Sequence, residues 1–291
     1  MAALLSDLLK RHQPDFHPVV PFDPARERLC SLDFTENNTQ LLPEEIADTA
    51  RFAAYINRML EQQQARYGFG GYGEHRTLYA RSKHFDQPIP GSADPAIRPA
   101  ADAGQNSRAN GGQPTGSKAA RGASSGSEAA RSVSRGSEAA RGAGSPDEAE
   151  PRRLHLGIDI WGPAGTRVMS PLNGIVHSFA FNNNDSDYGT TIILSHNLEG
   201  VGFHTLYGHL SLNSIKNLSE GRNIRKGEVI GEFGMRFENG NWPSHLHFQL
   251  IEDISDWKGD YPGVCRFSEK RRWLDNCPDP DLVLQLGQYI K

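Results

Sequence analysis

The run HLHFQLI, residues 245–251, decides the fold. Its alternation puts His245 and His247 on one face of a β-strand, about 7 Å apart, while Leu246 and Phe248 point to a core. Working outward, the same texture of short β-branched or aromatic runs recurs in LGIDIW (156–161), GIVHSF (174–179), TTIILSH (190–196), FHTLYGHL (203–210) and GEVIGEF (227–233). Turn signals separate them, Pro171-Leu172-Asn173-Gly174 and Asn182 to Asp187 among them. The expectation is an all-β domain over residues 154–255, with an antiparallel sheet core of sandwich- or barrel-like form. Residues 256–291, carrying Pro262-Gly263 and Cys277-Pro278-Asp279-Pro280, read as loops and a short terminal helix.

Upstream the texture changes twice. Residues 1–86 read as a small, mostly α accessory region. Leu4, Leu5, Leu8 and Leu9 fall at helical spacing. A second helix opens on Pro43-Glu44-Glu45, runs along Ile46, Phe52, Ile56, Met59 and Leu60, and stops at Gly68-Phe69-Gly70-Gly71. Glu74, His75 and Arg76 are expected in a solvated turn or a docking contact, since such residues are seldom buried. Residues 87–153 are almost free of large apolar side chains and read as a long disordered linker, because nothing in them offsets the entropy of ordering. Within it GSKAARGASS, GSEAARSVSR and GSEAARGAGS follow in succession from Gly116 to Ser145, without the apolar face that a solenoid repeat would need.

A net charge of −4, with acids and bases interspersed, offers neither a basic surface for nucleic acid nor a polybasic membrane patch. The first residues lack the long apolar core and small-residue cleavage site of a secretory signal, and no stretch approaches the ~20 apolar residues of a membrane span. The compartment is thus cytoplasmic by default, with the periplasm or envelope open to non-standard export. Three cysteines, Cys30, Cys265 and Cys277, are too few for a disulfide framework or a thiolate metal site, although Cys265 and Cys277 could pair after export.

Most of the eleven histidines lie in the β-rich stretch, in groupings that include His155-Leu-Gly-Ile-Asp159, Tyr207-Gly-His209 and His245-Leu-His247. Imidazole and carboxylate are the donors that a catalytic zinc favours, three from the protein with a fourth position for water. His155 and Asp159 on a straight strand would lie ~13 Å apart, so a bend at Gly157 has to converge them. Of His245 and His247, one is suited to the metal and the other to its water, with His209 as a further proton carrier. Each fragment alone has a bland reading as ordinary surface or hydrogen-bonded residues; together in one domain they point to a zinc hydrolase.

The succession HLGIDIWGPAGTRVMSPLNGIV, YGTTIILSH, LYGHLS, IRKGEVIGEFG and WPSHLHFQL resembles the catalytic domain of lysostaphin and LytM peptidases, in that family's order over roughly residues 154–252. The resemblance implies Zn2+ ligands at His155, Asp159 and His247, and catalytic histidines at His209 and His245. It implies an antiparallel β core with a narrow groove, and substrates among peptide cross-links or stem peptides of bacterial peptidoglycan. All five positions are filled, unlike degenerate relatives that act as hydrolase activators. His177, His196 and His204 match no catalytic position and read as structural. The alternatives are a regulatory peptide-binding module of the same fold, and a peptidase of cytosolic peptides. A plug formed by the N-terminal region, keeping the enzyme latent, is a further expectation.

Overall fold

The computed structural model describes residues 2–89 and 150–290. These fall within a single compact unit. The decad repeats lie outside the described residues.

In chain order the elements are helix α1 (Ala2–Arg11), strand β1 (Leu29–Ser31), helices α2 (Pro43–Ala47) and α3 (Thr49–Gln63), and strand β2 (Tyr67–Gly70). Then come β3 (Leu154–His155), β4 (Ile158–Trp161), β5 (Arg167–Met169), β6 (Gly174–Asn182), β7 (Gly189–Leu198), β8 (Val201–Leu210), β9 (Asn223–Ile224), β10 (Val229–Glu232), β11 (His245–Ile251) and β12 (Val264–Cys265). Helices α4 (Lys270–Asn276) and α5 (Asp281–Leu284) follow. One eight-stranded sheet, in the order β1-β2-β4-β11-β8-β7-β6-β9, carries the molecule, and β5 with β10 and β3 with β12 make two short ribbons. All pairings are antiparallel except β1 with β2. No helix among the described residues is long and apolar enough to cross a membrane.

The N-terminal region is mostly α, as read from the sequence, and in addition contributes the short strands β1 and β2 to the main sheet. The long apolar stripe is interrupted at Asp48, whose carboxylate accepts from the amides of Ala50 and Arg51 and so starts α3 afresh. Helix α3 then ends early, at Gln64 in the left-handed region, and the expected stop at Gly68–Gly71 is instead largely strand β2, buried against β4. Tertiary pairing outweighs the glycines there, because Leu32 and Leu60 pack where a Cβ of Gly68 would stand. Phe52, Tyr55 and Ile56 form the buried face of α3, and Phe52 and Phe34 meet the indole of Trp161 edge-on at 5.7 and 5.4 Å. This cluster fastens the N-terminal region to β4, the strand that carries Asp159.

Candidate metal centre

Strands β4 and β11 are neighbours in the middle of the sheet, with Asp159 directly opposite His247. Such a cross-strand pair brings side chains of one face into contact with no further device. His155 lies before a break in the backbone, between β3 and β4, and the break swings its ring towards the other two. Gly157 stands in this break as the sequence predicts, but for a different reason. Its φ is not positive. A Cβ there would instead lie 2.5 Å from two ring atoms of His247 and 2.8 Å from the carbonyl oxygen of Phe248, so glycine is required for space.

His155 Nε2, Asp159 Oδ1 and His247 Nδ1 meet at one point. The nitrogens are 3.0 Å apart, and the carboxylate oxygen lies 3.3 Å from His155 and 3.0 Å from His247. All three residues are buried, and they form a group able to hold a metal ion. The hydrogen bonds behind them fix their tautomers. Gln249 donates its amide to the carbonyl of Pro262, which turns its Oε1 towards His247 Nε2 at 2.9 Å. The proton of His247 is therefore on Nε2, and Nδ1 carries a lone pair. His155 Nδ1 donates to the carbonyl of Gly71 at 3.1 Å, leaving a lone pair on Nε2. Two imidazole lone pairs and one carboxylate oxygen thus face each other with no proton between the nitrogens, an arrangement that repels itself unless a cation stands among them.

The charges agree with that arrangement. Burial, with the nearby Arg76 cation, pushes the pKa of His155 down to about 4, so the ring is neutral at pH 7. Burial works against the Asp159 carboxylate, yet the Arg76 guanidinium paired with it holds it well below the usual range, and it stays ionised.

His209 and His245 stand beside this group without joining it. Their rings lie 4.1 Å apart, and His245 stacks on Trp161 at 3.8 Å. His245 Nδ1 donates to the carbonyl of Pro243 and His209 Nδ1 to that of Asn239, each at 2.8 Å, which leaves both Nε2 atoms as acceptors. His209 occupies a bulge in β8 opposite the register slip between Thr190 and Ile192, and its φ of 63° is unusual for a residue with a side chain. Such strain is tolerated where the surroundings over-determine it, here by Asn239 and the ring of Tyr188. Burial, then His245 and His247, keep the pKa of His209 well below its ordinary value, and burial takes His245 down to about 4. Both line a cleft of about 250 Å³ together with Asp159 and His247, and Tyr79, Phe85 and Tyr188 also line it.

Three participants were missed in the sequence. Gln249 shares the strand face of His245 and His247, and this alternation could have singled it out. Tyr188, whose ring packs 5.0 Å from that of His247, gave no such signal. Of the two readings for Arg76 the solvated turn is corrected: the side chain is fully buried, and it makes a contact between the N-terminal region and β4, its Nη1 donating to Asp159 Oδ2 at 2.6 Å. Burial becomes tolerable because a carboxylate is paired with it. His75 is exposed and Glu74 half-buried, as a turn would have them. His196 is buried and bonded to the carbonyl of Asn173 and the hydroxyl of Thr205, while His177 and His204 pack against each other, none of them in the cleft. The three cysteines are free and buried.

Fold and site together define a β-sheet protein with a buried His–Asp–His group able to hold a metal ion, two members of which, Asp159 and His247, line a cleft. Residues 153–258 match the model of Peptidase family M23, and this β-rich stretch is a domain of that family. Over 97 residues the chain is 37% identical to the DD-carboxypeptidase/endopeptidase Mpg of Neisseria meningitidis serogroup B, covering 33% of this chain and 20% of that protein. The counterpart in Neisseria gonorrhoeae is 36% identical over the same length. The chain thus spans about a fifth of the length of the curated relatives it matches. Among solved structures, a zinc-containing peptidase from Vibrio cholerae is 26% identical with a TM-score of 0.27, covering 34% of this chain and 27% of that one. The catalytic domain of lysostaphin from Staphylococcus simulans is 24% identical with a TM-score of 0.30, covering 42% and 80%.

Proposed function

We propose that the protein is a zinc-dependent endopeptidase that hydrolyses peptide bonds in peptidoglycan cross-links or stem peptides. The convergence of His155 Nε2, Asp159 Oδ1 and His247 Nδ1, with both imidazole protons committed elsewhere, carries this reading. Three donors about 2.0–2.1 Å from one ion at tetrahedral angles are about 3.3–3.4 Å apart, close to the separations found. The donor set of two imidazoles and one carboxylate suits zinc with a position left for water. Zinc bound there supplies a Lewis acid and draws the pKa of its water towards ~7.

The remaining chemistry belongs to the side chains. His209 and His245 are neutral at pH 7, with Nε2 lone pairs available to the cleft, so either is able to take a proton from an attacking water and return it to the leaving amine. Once protonated, the same ring donates to a developing oxyanion. The apolar wall of Tyr79 and Phe85 excludes bulk water and strengthens these interactions. The substrate class rests on the resemblance to lysostaphin and LytM peptidases and on the DD-carboxypeptidase/endopeptidase name of the Neisseria relatives.

The test is incubation of the zinc-loaded protein with purified sacculi, followed by mass spectrometry of the released fragments. Peptide-bond cleavage by the native protein and none by Asp159→Ala is expected. Intact sacculi and peptides with fully loaded protein would refute catalysis and favour a regulatory module.

A further inference from the structure

We infer that Arg76 is a positioning residue for the metal centre, and that residues 71–76 of the N-terminal region form the outer wall of that centre. The inference rests on the reading of His155, Asp159 and His247 as metal ligands. Arg76 spends its guanidinium on three acceptors: Nη1 on Asp159 Oδ2 at 2.6 Å, Nε on Glu74 Oε2 at 2.9 Å and Nη2 on the Gly71 carbonyl at 3.4 Å. It lies over the Phe34 ring at 5.4 Å with no exposed surface. Room for it is built into β2, because a Cβ on Gly70 would come within 2.5 Å of Nη2.

Asp159 therefore has its two oxygens divided between two tasks. Oδ2 is taken by Arg76, and Oδ1 alone is turned to the imidazoles. A carboxylate held this way offers one oxygen to an ion and is kept from turning to offer both, so a coordination position is saved for water. Glu74 balances the guanidinium charge, which would otherwise drain the carboxylate as a donor.

The same segment reaches the second ligand. The Gly71 carbonyl receives the Nδ1 proton of His155, and backbone bonds from Gly73 to His155, from His155 to Glu74 and from Arg76 to Arg153 tie residues 73–76 along 153–155. Supports of this kind, one to six positions beyond the end of β2, touch two of the three ligands. A removable plug would not be expected to hold ligands in place.

The experiment uses the full-length, metal-free protein titrated with zinc against a chromophoric chelator, and with cobalt followed by its visible absorption. Arg76→Lys keeps the charge without the fork geometry, and Arg76→Met removes the charge at similar length. Both are expected to bind zinc about 10–100-fold more weakly and to change the cobalt spectrum, with the lysine variant the less affected. Folding is checked by unfolding of the metal-free proteins. If neither variant folds, Glu74→Gln, at a half-exposed position, decides the matter with a several-fold loss and a shifted spectrum. Folded variants with native affinity and native spectrum overturn the positioning role while leaving the metal centre standing. A native protein that binds no metal overturns both.

Discussion

Gly157→Ala is the smallest change that reaches the metal group. The added methyl meets Cε1 and Nε2 of His247 at 2.5 Å and the Phe248 carbonyl at 2.8 Å, all closer than real contacts allow. The carbonyl belongs to β11 and cannot retreat without breaking its pairing to β4 and β8. The imidazole therefore yields, and it is held by Gln249 behind and Asp159 in front. Overpacking of this kind costs typically about 1–3 kcal/mol. For a folded unit of this size that lowers the unfolding midpoint by roughly 2–4 °C per kcal/mol. Moving a ligand by a fraction of an ångström adds a loss of about 10–100-fold in metal affinity, as losing an outer support does. Gly200→Ala is the control: it stands at φ +89° with nothing within 4 Å, so it strains the backbone by about 1–2 kcal/mol and leaves the metal alone. Chelator competition and thermal unfolding on both variants separate the effects. Native affinity in Gly157→Ala would show that the break between β3 and β4 absorbs the methyl, and the steric reasoning would be wrong.

Gln249→Leu strips His247 Nε2 of its main acceptor; a buried N–H left unpaired costs about 1–3 kcal/mol, and zinc titration is expected to show weaker binding, with Gln249→Glu restoring it. His209→Ala is expected to retain zinc, measured by elemental analysis, while turnover on released muropeptides falls about 10²–10⁴-fold; a variant empty of metal would reassign its role. The metal-free protein should lose stability to denaturant as pH falls from about 6.5 to about 4. Burial depresses His155, His196 and His245 to about 4, so the unfolded chain takes up protons in this window that the folded chain refuses. Asp260, raised to about 6 by burial and Asp187, opposes the trend by binding its proton earlier in the folded state, so a net rise in stability towards pH 4 would show that the histidines are not held neutral.

The β domain and the convergence of His155, Asp159 and His247 were legible because the signals for them are local or periodic. Alternation in residues 245–251 gave the face of β11, and Gly157 between His155 and Asp159 required a bend. What stayed hidden was long-range. The proton of His155 is fixed by a carbonyl 84 residues away, and the second oxygen of Asp159 by an arginine 83 residues away. No spacing rule connects them. Strand β2 was obscured because Tyr67–Gly70 has two glycines, poor strand formers whose lack of side chains is what lets Leu32, Leu60 and Arg76 fit against it. Gly157 was expected for its dihedral freedom, whereas the need for space at His247 appears only once β11 lies alongside β4.

X-ray absorption on the zinc-loaded protein tests the central claim most directly, with metal content measured on the same sample. One zinc per chain is predicted, bound by nitrogen and oxygen at about 2.0–2.1 Å with the scattering of two imidazoles, and lost in Asp159→Ala. Sulfur at about 2.3 Å, or no stoichiometric metal, would contradict it.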